Sequence, residues 1–98
     1  MLDVRIIKSP SQGAMDIIMR RKGSKESYEG ERFDAVGLVQ GKMIEMIVAA
    51  DIAEKSAGVI VEELRGSCPQ NMILLAIFGD TAAVEDAIEK IMINEKKR

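Results

Sequence analysis

The order of short apolar segments along the chain limits the folds that it can adopt. Glycine, proline and serine residues separate these segments, and their lengths and periodicities distinguish strands from helices. From residue 35 onwards the pattern predicts strand–helix–strand–strand–helix, which is one strand short of a ferredoxin-like split βαβ unit. The front segment Val4–Lys8 has the composition of the missing strand. The sequence therefore predicts an α+β, ferredoxin-like domain with a circularly permuted, four-stranded antiparallel sheet and helices packed on it.

The predicted elements account for most of the chain, which at 98 residues is expected to form one domain over 1–98. We expect residues 23–32, which are polar and contain two glycines, to be a mobile loop. Residues 94–98 are expected to be a frayed tail. The predicted strands cover 4–8, 35–40, 59–64 and 72–78, and the predicted helices cover 12–22, 42–57 and 81–93.

The predicted helix over 42–57 has no single apolar stripe. Met46 and Ala53 lie on one side of it, whereas Ile44 and Ile47 lie on another. Such a helix needs apolar cover on two sides. In a domain of this size, we expect a neighbouring subunit to provide the second cover.

Composition excludes several classes of function. The net charge of −2 argues against a nucleic-acid partner, and no apolar run reaches the length needed to span a bilayer. The first residues lack the basic-then-apolar order of a signal peptide. A single cysteine cannot form an internal disulfide, which fits a reducing compartment, so we predict a cytoplasmic protein. Without histidine or a catalytic motif, we expect no enzymatic activity.

Three segments, in this order, resemble the circularly permuted form of the bacterial microcompartment (BMC) shell domain. VRIIKSPSQGAMDII is similar to the strand, turn and helix that usually close that domain. AVGLVQGKMIEMIVAADIAEKSAGV is similar to its first strand and helix, and IFGDTAAVEDAIEKI to its last strand-to-helix turn. The resemblance implies a structural protein located in a bacterial microcompartment shell.

The same resemblance implies how the chain assembles. Shell domains of this type form cyclic homo-hexamers that tile edge to edge with other shell proteins. The link between the third and fourth strands, residues 65–71, would line the pore on the sixfold axis. Lys42 matches the lysine of the hexamer edge, although an exposed lysine at a helix start is also common.

The pore loop Gly66-Ser67-Cys68-Pro69-Gln70 is the most unusual stretch of the sequence. Gly66 permits a backbone turn that other residues resist, and Pro69 stiffens the loop. Cys68 alone is weak evidence for a metal site, because an iron–sulfur cluster needs about four protein ligands. On a sixfold axis, however, one cysteine per chain becomes a ring of converging thiols.

The Cys-Pro-Gln sequence resembles the pore motif of shell proteins from glycyl-radical-type microcompartments. That resemblance implies a [4Fe–4S] cluster, shared by subunits and bound through Cys68, with Ser67 and Gln70 as hydrogen-bond donors to it. It also implies electron or cluster transfer across the shell, and an encapsulated glycyl radical enzyme system as partner. Two other interpretations stay open: a plain tile with a metabolite pore, and a small ferredoxin-like regulator that binds a ligand between subunits.

Overall fold

The computed structural model describes residues 2–28, 31–66 and 72–97. Every element that the pattern predicts is present, and the predicted α+β fold is confirmed. The elements are β1 (Asp3–Lys8), α1 (Gln12–Arg21), β2 (Ala35–Lys42), α2 (Met43–Glu54), β3 (Val59–Leu64), β4 (Met72–Gly79) and α3 (Thr81–Lys96).

The four strands form one antiparallel sheet in the order β1-β2-β4-β3. The front strand β1 pairs along the outer side of β2, with Ile6 opposite Gly37. On the other side of β2, Leu38 lies opposite Ala76 of β4, which in turn faces Glu62 of β3. The strand that completes the split βαβ unit therefore comes from the front of the chain, as the permuted order predicts.

Helices cover both faces of the sheet, which explains why β2 and β4 are apolar at almost every position. Alternate residues of β2 point to opposite faces. Ala35 and Val39 lie in a core that includes residues of α2 and α3. Val36 lies in a second core on the face that carries α1.

Two glycines allow close packing at the α3 side of the sheet. A Cβ atom on Gly37 would lie 2.4 Å from Cδ1 of Ile88. A Cβ atom on Gly79 would lie 2.7 Å from the carbonyl oxygen of Gly58, a backbone atom that has little freedom to move. These two positions therefore exclude larger side chains for steric reasons.

Two helix ends differ from the sequence expectation. Regular helix α2 ends at Glu54, and the chain then turns through Gly58, whose φ of +80° suits glycine. Helix α3 continues to Lys96, so the expected frayed tail over 94–98 was wrong for residues 94–96. A polar last turn can stay helical, because it needs only backbone hydrogen bonds and contact with solvent. Here Lys97 N donates to Asn94 O at 3.1 Å and closes the end of α3.

The segment 23–32 contains no helix or strand where it is described, as expected for a loop. Its mobility stays a prediction. None of the described helices combines the length and the apolar character needed to cross a lipid bilayer.

Candidate functional site

The pore loop leaves the sheet where β3 ends at Leu64 and returns at Met72. The last cross-strand pair before the loop is Leu64 opposite Leu74. Arg65 and Gly66 are described and exposed. The other predicted site residues, Ser67, Cys68, Pro69 and Gln70, lie outside the described residues, so their roles stay predictions.

The expected reason for a glycine at position 66 was wrong. The backbone of Gly66 is not in the left-handed region, and a Cβ atom there would meet no atom of the described residues within 4 Å. The conformational freedom of glycine is used at Gly58 instead.

The start of the loop is held by the end of α1 and the residues that follow it. We call residues 21–28 the strap. Lys22 forms a β-bridge with Leu64, and Gly23 N donates to Glu63 O at 2.8 Å. Arg65 N donates to Arg21 O at 2.6 Å. The strap is thus joined to the edge of β3 by one isolated antiparallel bridge and the backbone hydrogen bonds beside it.

Glu62 is the buried charged residue beneath the strap, with only 5% of its surface exposed. Ser24 Oγ donates to Glu62 Oε2 at 2.7 Å, and the hydroxyl of Tyr28 donates to the same oxygen. Glu62 and Glu63 are neighbours in a strand and point to opposite faces, and Glu63 is exposed. The hydroxyl partners of Glu62 carry no sequence signal, because they come from a polar loop without a periodic pattern.

Tyr28 joins the strap to the core through its ring. The ring packs edge-on against Phe33 and lies tilted against Phe78, with centroids 6.1 and 6.2 Å away. Burial raises the pKa of the Tyr28 phenol to about 12, and the hydrogen bond and negative charge of Glu62 add to this effect. Tyr28 is therefore a neutral hydrogen-bond donor at ordinary pH.

The base of the loop is basic. A cleft of about 240 Å³ lies beside it, and its described lining contains two arginines and no acidic residue. Arg65 Nη2 donates to Gly23 O at 3.0 Å, and Arg21 Nη1 donates to Arg65 O at 3.3 Å. Because both guanidinium groups are bound to neutral carbonyls, their positive charges are not cancelled by a carboxylate in these contacts.

Lys42 lies at the same end of the sheet as the pore loop. It ends β2 directly opposite Met72, the first residue of β4, and its backbone N donates to Glu45 Oε1 at 2.9 Å. Its role as the hexamer-edge contact stays a prediction, because that contact would lie between chains.

Helix α2 carries an apolar stripe on its outer side. Ile44, Ile47 and Val48 are 74%, 62% and 45% exposed, whereas Met46 and Ala53 on the inner side are buried. The stripe lies in the first half of α2, which starts at the pore-loop end of the sheet. The sequence prediction of a helix with two apolar sides is confirmed.

The described residues of one chain do not form a metal centre. Among residues 2–28, 31–66 and 72–97, no three His, Cys, Asp or Glu side chains lie close enough to hold an ion. A cluster at Cys68 would therefore need thiolates from several copies of the chain.

Comparisons with known proteins give the family. The family model for the BMC domain matches residues 35–95, more than half of the chain. The ligand-free structure of the GrpU microcompartment shell protein from Clostridiales bacterium 1_7_47FAA is 52% identical. That match covers 96% of this chain and 92% of the other, with a TM-score of 0.74.

A second ligand-free structure, the GrpU microcompartment shell protein from Pectobacterium wasabiae, is 34% identical with a TM-score of 0.70. It covers 92% of this chain and 99% of that one. A comparison with curated proteins gave no match. The chain therefore belongs to the BMC-domain family and is a GrpU-like structural shell protein of a bacterial microcompartment.

Proposed function

We propose that the chain assembles into a cyclic homo-hexamer, a tile of the shell, whose pore loop binds a [4Fe–4S] cluster through Cys68. In this function the shell passes electrons, or the cluster itself, between its two sides. The cargo would be a glycyl radical enzyme system. The hexamer and the cluster are separate parts of the proposal, and each has its own test.

The exposed stripe of α2 is the observation that carries the assembly. A helix that is apolar on both sides needs a second partner. Ile44, Ile47 and Val48 form a contiguous patch that a monomer would leave in water. Neighbouring chains in a ring approach each other most closely near the axis, and the stripe lies at the pore-loop end of the sheet, where the axis is expected.

The basic loop base supports thiolate chemistry at Cys68. Thiolates, not thiols, bind iron, and nearby cations favour the thiolate form. Arg21 and Arg65 supply positive charge where the loop begins. A hexamer would bring six thiols together, of which a four-iron cluster uses about four, so the sixfold symmetry would be broken at the cluster.

A catalytic role is not part of the proposal. Glu62 is bound by two hydroxyls, and Glu85 and Asp86 lie in ion pairs with Lys8 and Lys90. Each of these three carboxylates therefore has a partner that accounts for it within the fold.

The cluster is tested by anaerobic reconstitution. The purified protein is supplied with ferrous iron and sulfide under reductant, and its visible absorption and the electron paramagnetic resonance of the reduced state are recorded. We expect the bands of a cubane cluster in the wild type and their loss in Cys68→Ser. The variant Ser67→Ala keeps the thiol and is the matched control, expected to keep the cluster with a shifted potential.

The result that contradicts the cluster is a hexamer whose spectrum is the same for wild type and Cys68→Ser. Native mass spectrometry on the same samples gives the number of chains. A hexamer without iron then identifies a plain tile with a metabolite pore. A dimer or trimer contradicts the hexamer itself and favours a ligand-binding regulator.

A further inference from the structure

We propose that Ser24, Tyr28 and Glu62 form a latch that holds the strap on the edge of β3 and thereby positions the start of the pore loop. These three are positioning residues and contact no pore ligand themselves. The amide and thiol measurements below need no cluster. Only the effect of the latch on a cluster rests on the proposed function.

The first step of the argument is the convergence of two hydroxyls on one buried oxygen. Ser24 Oγ and the Tyr28 hydroxyl both donate to Oε2 of Glu62. A buried carboxylate without hydrogen-bond donors is strongly destabilising, so the hydrogen bonds and the burial of Glu62 depend on each other. Both donors belong to the strap, and the acceptor belongs to the sheet.

The second step connects the strap with the loop. The backbone N of Arg65 donates to Arg21 O, and its guanidinium donates to Gly23 O. Both of these partners are strap carbonyls, one on each side of Lys22. The position of Arg65, and of the chain that continues from it, thus depends on the strap being docked.

The third step is that the latch adds side-chain contacts to a short backbone connection. The β-bridge between the strap and β3 is a single pair, Lys22 with Leu64, and residues 24–27 are exposed. Lys22 Nζ binds the carbonyls of Ser24 and Glu26, which shapes the strap internally without joining it to the sheet. The latch and the Tyr28 ring therefore oppose local opening of the strap together with the backbone bonds and the Arg65 guanidinium.

Amide hydrogen exchange measured by NMR tests the latch directly. The variant Tyr28→Phe keeps the ring contacts and removes the donor, and Ser24→Ala removes the other donor. Because hydrogen bonds to charged groups are among the stronger ones, we expect the amides of Gly23 and Arg65 to exchange about ten- to a hundredfold faster in the double variant. Amides of the central strands should be unchanged.

Ser56→Ala is the matched control, because it also removes a buried hydroxyl, one that donates to Ile52 O at 3.1 Å far from the strap. We expect this control to leave Gly23 and Arg65 unchanged. A second readout is the rate at which iodoacetamide alkylates Cys68 in the apoprotein. It should rise several-fold in the double latch variant and stay constant in Ser56→Ala.

Two results would overturn the proposal. One is unchanged exchange of Gly23 and Arg65 in the double variant. The other is faster exchange by the same factor throughout the sheet, which would make the three residues ordinary contributors to global stability. Loss of the cluster proposal would leave both readouts intact, because neither uses iron.

Discussion

The apolar stripe of α2 gives the assembly a quantitative test. The perturbation is the double variant Ile44→Gln, Ile47→Gln, which replaces two exposed isoleucines by a polar residue with good helix propensity. Because these side chains are 74% and 62% exposed in the single chain, the change removes little packing from the monomer. Its stability to urea should stay within about 0.5 kcal/mol of the wild type.

The expected effect on association follows from the area that is still exposed. Full burial of an isoleucine side chain contributes about 1.5–3 kcal/mol. Taking about 2.3 kcal/mol and the exposed fractions above, the two side chains contribute about 3 kcal/mol to one subunit contact. That corresponds to a contact weakened by about two orders of magnitude.

Sedimentation velocity across a dilution series measures this weakening. The wild type should remain assembled at concentrations where the double variant dissociates. Ile17→Gln is the matched control, since Ile17 is 52% exposed but lies on α1, on the other face of the sheet. If the double variant and the control dissociate at the same concentration as the wild type, the stripe is not the subunit contact and the reasoning is refuted.

Three further predictions concern the single chain. Gly79→Ala should destabilise it by about 1–3 kcal/mol in urea unfolding, because the new Cβ would press on the Gly58 carbonyl. Its contrast is Gly13→Ala, in open space on a helix, which should stabilise the chain by about 0.5–1 kcal/mol. Asp80→Ala should cost about 1 kcal/mol through loss of the α3 N-cap, seen as a lower thermal midpoint. Folding raises the Tyr28 pKa from 10.0 to about 12, so the neutral phenol contributes stability that is fully present below pH 10.0 and is lost as the pH rises towards 12. Tyr28→Phe should flatten this fall in the free energy of unfolding with pH.

The sequence was sufficient for the elements and their order because each carries its own periodicity and its own end signal. Asp80, for example, accepts from Ala83 N at 2.8 Å as a helix cap should. The two apolar sides of α2 could also be predicted, since they follow from the spacing of apolar residues alone. That the front segment supplies the fourth strand followed from counting strands against a known unit, whereas its pairing with β2 came from the structure.

The strap was not predictable in this way. Its contacts join Gly23 to Glu63, 40 positions apart, and Ser24 to Glu62, 38 positions apart, and the strap itself has no periodicity. The pairing of Lys42 with Met72 is another neighbour that the sequence did not indicate. Local sequence signals carry no information on such register-dependent neighbours.

The permuted strand order also has a consequence for biosynthesis. β1 leaves the ribosome before its partner in the sheet, β2, which begins at Ala35. During that interval β1 is unpaired and can pair with other chains. Asp3, Arg5 and Lys8 place charges along β1, and charged side chains on an unpaired strand discourage aggregation. The speed of translation between β1 and β2 thus becomes a variable in the yield of folded protein.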